Sequence, residues 1–186
     1  HLSAAARKVL EQQSGSKGKG NTDRIKKNFE DGVLREVPVA FLEGDLQGNP
    51  GMHQSSLAVA AVVMDHNPET IDWLNTVYKN GACEWHDVGK RDGGSVMRYM
   101  VNRINRDGEG DEISIGYNSS WLSSWLYIAK ILNGYKMPDG RTLAGNIDPD
   151  LMNNPRYKKL FETNPLLFTN QYDAHIGDTG LTGQPL

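Results

Sequence analysis

Leu57-Ala58-Val59-Ala60-Ala61-Val62-Val63-Met64 is a run of small and branched apolar residues with no charge in it. Such a run joins a polar segment that reads as the start of a helix. It therefore predicts a helix that other helices enclose on most sides. Upstream stands Gly48-Asn49-Pro50-Gly51-Met52-His53-Gln54-Ser55, which delivers a histidine and two amides to the opening of that helix. Polar groups at the mouth of a buried helix mark a candidate site wall. A helix cap carrying a satisfied core histidine explains the same residues without any function.

Outward from this helix, other helices follow. Residues 3–13 have helix-forming composition with Ser3 as cap, and residues 14–21 form a Gly/Ser/Lys linker expected to be mobile. A helix is expected over 22–34 and a shorter segment over 39–45. Asn67-Pro68-Glu69 opens the helix that follows the His53 helix, with Ile71, Leu74 and Tyr78 on one face and Asn80-Gly81 as its stop. Asp92-Gly93-Gly94-Ser95 starts another, with Val96, Tyr99, Met100 and Ile104 at helical spacing as far as Arg106-Asp107-Gly108. Asn118-Ser119-Ser120 then caps a helix bearing Trp121, Leu122, Trp125, Leu126, Ile128, Ala129 and Leu132. The tail is turn-rich with one short helix over 155–162, and the one strand-like stretch is 112–115. Successive helical hairpins predict an all-α stack, either a closed toroid or an open solenoid.

The chain has 186 residues, 38% of them hydrophobic, which is enough for one folded domain with a core. A net charge of -3 without a basic field argues against nucleic acid as a partner, although a local basic cleft for an anionic sugar is compatible with it. Cys83 is the only cysteine, so there is neither an intrachain disulfide nor a zinc site built on several thiolates. No apolar run reaches the roughly 18 residues that span a bilayer, so no membrane span is expected. The chain opens on His1, consistent with a processed product or a piece of a longer protein. A ring of about six hairpins at roughly 40 to 50 residues each would need more chain, which points the same way.

A second segment is Arg106-Asp107-Gly108-Glu109-Gly110-Asp111-Glu112-Ile113-Ser114-Ile115-Gly116-Tyr117-Asn118, an acidic, glycine-punctuated loop that places Tyr117 before a helix start. Its carboxylates are oxygen ligands at close spacing, but they lack the loop spacing and terminal glutamate of an EF-hand, so a solvated acidic turn is the plainer alternative to a calcium site.

Taken together, Gly48-Asn49-Pro50-Gly51-Met52-His53-Gln54 and Asp107-Gly108, Glu112, Tyr117-Asn118 resemble motifs of the heparinase II/III-like polysaccharide lyases and their alginate-lyase relatives. His175-Ile176-Gly177-Asp178-Thr179-Gly180 is similar to a downstream segment of some members. The resemblance covers roughly residues 30–182. It implies that residues 22–186 are part of an (α/α) toroid domain within a longer enzyme, with residues 1–21 a helix and linker before it. It also implies a following β-sandwich region that supplies a further catalytic histidine, and a periplasmic or secreted location.

The implied partner is an anionic polysaccharide or oligosaccharide of glycosaminoglycan or alginate type, and no cofactor is implied in this segment. The chemistry is β-elimination, in which a base removes the C5 proton of a uronate while the 4-O leaving group is protonated. Neutralising the carboxylate stabilises the enediolate-like intermediate. The resemblance gives that duty to His53 with Asn49 or Gln54, Pro50-Gly51-Met52 separating Asn49 from the histidine, and gives Tyr117 the acid or base role. A tyrosine ordinarily titrates at about 10, so a basic one needs a nearby cation or strong donor, for which the histidines and Arg106 are candidates.

Around the sugar, Glu112, Arg106, Trp85, His86 and His175 are candidate substrate contacts. Glu112 also suits holding the loop, Trp85 and His86 also suit an exposed aromatic corner, and Trp121 with Trp125 suit a core better than a sugar platform. His66 sits at a helix end, where a cation suits the dipole, and has no assigned role. The competing class is a non-catalytic helical-repeat module that binds glycan or protein through the same loops. A toroid glycoside hydrolase would need two carboxylates flanking one bond, and Asp107, Asp111 and Glu112 share one loop.

Overall fold

The structure is a computed structural model that describes residues 3–13, 22–46, 48–80, 95–110, 114–143, 148, 150–163, 168–169 and 172–173. Helices dominate them, as expected for an all-α chain. In order they are α1 (Ala4–Gln13), α2 (Thr22–Phe29), which widens into a π turn at Glu30–Leu34, α3 (Glu36–Glu43) and α4 (Met52–Met64). Then come α5 (Glu69–Asn75), widening at Thr76–Asn80, α6 (Val96–Asn102), α7 (Ile115–Leu132) and α8 (Pro155–Thr163). A two-residue antiparallel ladder, β1 (Phe168–Thr169) with β2 (Tyr172–Asp173), stands where the sequence pattern gave only loop.

Local signals place most boundaries. Ser3 Oγ accepts the Ala6 N–H at 3.2 Å, and Ser95 Oγ accepts the Arg98 N–H at 3.2 Å, so both helices start at a serine cap. Gly44 ends α3 in the left-handed conformation at φ 74°. Two expectations fail for a shared reason. The helix expected to begin after an Asn118 cap begins at Ile115, because Ser114 is the residue whose hydroxyl accepts a first-turn N–H, from Tyr117 at 3.5 Å. Ile115 is therefore helical and not part of a strand. At the other side of the loop α6 stops at Asn102, and Ile104 leaves the helix to form a β-bridge with Gly110 while keeping its side chain buried.

The central pair is α4 and α7. On α4, His53, Gln54, Ser55, Leu57, Ala58, Ala60, Ala61 and Met64 are buried, whereas Val63 is half exposed. The helix is enclosed on most of its circumference, as its composition predicts, and its alanines admit close neighbours. Its opening turn touches Ser124 and Trp125 in the middle of α7. Its far end meets the segment just beyond α7, where the Tyr135 hydroxyl donates to Asp65 Oδ1 at 2.8 Å. The two helices therefore run parallel.

Parallel neighbours need returning segments, and α5 and α6 supply them. The Thr70 hydroxyl donates to the Ala61 carbonyl at 2.9 Å and folds α5 back onto α4. Trp73, Leu74, Val77 and Tyr78 then enter the core, while Ile71, assigned to that face by spacing, is half-buried. Tyr99 of α6 makes edge contacts with Trp121 and Trp125 of α7, each with ring centroids 6.1 Å apart. Tyr99 is thus the α6 side chain that both tryptophans of α7 meet. Trp121 and Trp125 are core residues, 2% and 0% exposed.

An ion-pair chain ties α2 to the start of α5. Arg35 donates to Asp31 at 2.6 Å and to Glu69 at 3.0 Å, and His66 Nδ1 lies 3.1 Å from Glu69 Oε2. The helix-start N–H of Glu69 itself, then Arg35 and His66, hold its carboxyl down at about 2 against an ordinary 4.5. A depressed carboxylate contributes stability that is present above the unfolded value and is lost as pH falls from about 4.5 toward 2. Glu69→Gln should thus lower Tm at pH 7 by roughly 2–4 °C, the equivalent of about 1 kcal/mol for a partly exposed pair. Thermal melts across pH should find the two proteins converging by about pH 2.

Candidate functional site

The two motifs singled out in the sequence meet on one face of α7, and glycines are what let them do so. A Cβ on Gly51 would lie 2.6 Å from Ser124 Cβ and Trp125 Cδ1, and 2.8 Å from the Trp125 indole nitrogen. Gly51 also sits at φ 95°, where L side chains are strained. On the other motif, a Cβ on Gly110 would lie 2.3 Å from Asn118 Oδ1 and 3.1 Å from Trp121 Cζ3. Asn118, Trp121 and Trp125 share the buried face of α7, and each is covered by a glycine-bearing turn or by Tyr99.

His53 lies in the first turn of α4 and is 4% exposed. A Cβ on Gly48 would come within 3.6 Å of its Nε2, so the backbone of the first motif runs directly over the ring. Gln54 is fully buried, and its Oε1 accepts the Gly51 N–H at 2.7 Å, which caps the helix and fixes the turn. Its carbonyl oxygen is thereby engaged in structure. Asn49 is half-buried, and its backbone carbonyl accepts the Met52 N–H at 3.0 Å.

Tyr117, 38% exposed, stands on the first turn of α7 at the same end of the parallel pair. It precedes the Ser124 level by two helical turns, about 10 Å of rise. His53 is thus enclosed beneath the Gly48 turn while Tyr117 is exposed, the two staggered along the axis. The starts of α4 and α7 carry the positive ends of their helix dipoles, which favour an anion.

The described part of the acidic segment after α6, residues 104–110, docks on α8. Asp107 Oδ1 accepts the Glu109 N–H at 3.1 Å, the Asn105 N–H donates to the Glu109 carbonyl at 2.8 Å, and Arg156 Nη1 donates to the Ile104 carbonyl at 3.0 Å. The Thr163 hydroxyl donates to the Asp107 carbonyl, and a Cβ on Gly108 would strike the Lys159 carbonyl at 2.3 Å. Arg106 is exposed on this loop. Glu112, Trp85, His86 and His175 lie outside the described residues, as do Cys83 and the linker at 14–21. Among the described residues, no group of three or more His, Cys, Asp or Glu side chains could hold a metal ion, and no helix is long and apolar enough to cross a membrane.

Asn118 was assigned to a cap by its sequence and is instead part of this face. It is 3% exposed, and its amide atoms have no hydrogen-bond partner among the described residues. A buried amide of that kind is completed by water or by a ligand. Had the helix been started at Ser114, the spacing Ile115, Asn118, Trp121, Trp125 would have placed the asparagine on the buried face. Burial pushes the hydroxyls of Tyr78 and Tyr157 far up, and burial together with Asp65 pushes Tyr135 up to about 12, so these three stay protonated.

Models of protein families, curated proteins and solved structures give no match to this chain.

The close approaches make a paired stability test. Gly51→Ala should destabilise by about 2–3 kcal/mol through overpacking and backbone strain. Gly116→Ala, where the nearest atom to a Cβ is Ser114 Oγ at 3.8 Å, should stabilise the first turn of α7 by roughly 0.5–1 kcal/mol. Urea unfolding of both variants checks the opposite signs.

Proposed function

We propose that this chain is part of a polysaccharide lyase that cleaves a uronic-acid-containing anionic glycan by β-elimination. The observation that carries the proposal is the convergence of the two motifs on the α7 face, with His53 and Tyr117 at one end of parallel helices. Parallel α4 and α7 joined by returning helices also support placing the chain in a stack of hairpins of the (α/α) toroid type.

In this proposal His53 and a neighbouring amide hold the uronate carboxylate, whose charge otherwise opposes removal of the C5 proton. Asn49 and Gln54 were the amides offered by sequence. The capping bond of Gln54 and the open valence of Asn118 favour adding Asn118 to them. A base takes the C5 proton, the C5–H electron pair becomes the C4–C5 double bond, and the C4–O bond breaks with its pair on the glycosidic oxygen. That oxygen leaves protonated. Tyr117, exposed at the mouth, serves as the general acid or base. Helix N-termini and amide donors stabilise the charge that develops on the carboxylate, as an oxyanion hole does.

Tyr117→Phe in the whole protein should reduce formation of the ultraviolet-absorbing unsaturated product by about 10²–10⁴-fold, with the circular-dichroism spectrum and melting unchanged. Normal activity in that variant rules the assignment out. Saturable glycan binding without product in the native protein would favour the non-catalytic module instead.

A further inference from the structure

A second cluster of polar groups lies on α6, apart from His53 and Tyr117. Arg98, Tyr99, Asn102 and Arg103 line a cleft of about 100 Å³. Arg98 and Asn102 stand one helical turn apart, as do Tyr99 and Arg103, so the four side chains form two adjacent rows on one side of the helix. None of the four is acidic. The guanidinium of Arg98 has no acidic partner among the described residues. By contrast, Arg35 is taken up by Asp31 and Glu69, and Arg156 by the Ile104 carbonyl. A planar, permanently charged fork beside a carboxamide is matched to a group with two or three oxygens sharing negative charge.

Position makes the cleft more than a pair of surface arginines. Tyr99 forms one wall and is itself 2% exposed, with its ring in edge contact with Trp121 and Trp125. Those tryptophans stand on the α7 face between Asn118 and the His53 turn. Arg103 ends α6 and leads into the loop that carries Arg106 and covers Asn118. The cleft therefore lies one aromatic layer from the proposed site and at the α7 N-terminal side of it. It also answers a question of charge: a chain with a net charge of -3 can attract an anionic polymer through a local concentration of cations.

We propose that this cleft is an oxyanion subsite that takes the carboxylate or sulfate ester of a sugar next to the one held at His53 and Tyr117. The second half of that statement rests on the lyase assignment, and the first does not. Because Arg98 is exposed, binding is weak and salt-sensitive, screened beyond about 8 Å at physiological ionic strength.

Inorganic sulfate is the direct probe, and the tryptophans behind Tyr99 supply the signal. Titration of the native protein should give a saturable change in tryptophan fluorescence at millimolar sulfate. Arg98→Gln should weaken it about tenfold, Asn102→Ala should weaken it less, and Arg141→Gln, an exposed arginine elsewhere, should leave it unchanged. No saturable change in the native protein, or equal weakening in Arg98→Gln and Arg141→Gln, overturns the subsite. Uronate oligosaccharides with and without a sulfate ester then separate the two sources. Weakening by Arg98→Gln confined to the sulfated one assigns the cleft to sulfate, weakening for both assigns it to carboxylate, and weakening for neither overturns a role in glycan binding. If Tyr117→Phe keeps full product formation while sulfate binding stands, the lyase assignment fails and the anion site survives.

Discussion

The close approach of the α4 opening turn to Trp125 is the contact on which the arrangement depends. At 2.6 Å from a hypothetical Cβ, only glycine at position 51 lets the backbone lie on the indole. That single steric condition fixes where α4 begins relative to α7. It leads Gln54 to bond back to the Gly51 N–H, since a helix start pressed against an aromatic ring must satisfy its donors from within. With the start fixed, His53 falls beneath Gly48 and Tyr117 falls two turns away on the neighbouring helix. Gly110 repeats the device at Asn118 and Trp121, so the second motif is seated by the same physics as the first.

The apolar core and the polar mouth are consequently two ends of one packing problem. Small residues on α4 let α7 approach along its length, and the three rings of Tyr99, Trp121 and Trp125 fill the space where α6 returns. Aromatic groups of this size contribute about 0.5–1.5 kcal/mol per favourable pair beyond the area they bury. Behind them, Arg156, Thr163 and the close approach of Gly108 to Lys159 hold residues 104–108 on α8.

Helical periodicity made α4, α5, α7 and α8 legible from sequence, because their buried faces repeat every three to four residues with no interruption. Serine and proline signals placed the starts at Ser3 and Pro68 for the reason that caps are local. The α6–α7 connection was harder. Asn118-Ser119-Ser120 is a stronger cap by composition than Ser114, yet Ser114 caps the helix and Asn118 lies buried against Gly110, where a Cβ would sit 2.3 Å from its Oδ1. That is a contact between residues eight apart across a turn, invisible to any window of propensity. Ile104 escaped its helix for a related reason: its side chain stays in the core while its backbone pairs with Gly110.

Of the site, the sequence supplied the side chains but not their states. His53, Gln54 and Tyr117 were found because polar and aromatic residues stood where helices open. Nothing in their order distinguished Gln54, whose carbonyl is bound to its own turn, from Asn118, whose amide meets no described residue. Both are amides beside a motif residue, and burial alone does not separate them, since each is almost wholly enclosed. What separates them is whether the backbone nearby has a donor to give. At the start of α4 the first-turn N–H groups are unsatisfied and Gln54 answers one of them. In the middle of the first turns of α7 the N–H groups already have Ser114 and the helix itself, so Asn118 has no backbone group to serve. An amide held in that position is a positioned hydrogen-bonding pair open to solvent or ligand, which is the physical ground for adding it to His53 and Tyr117 in the proposed chemistry.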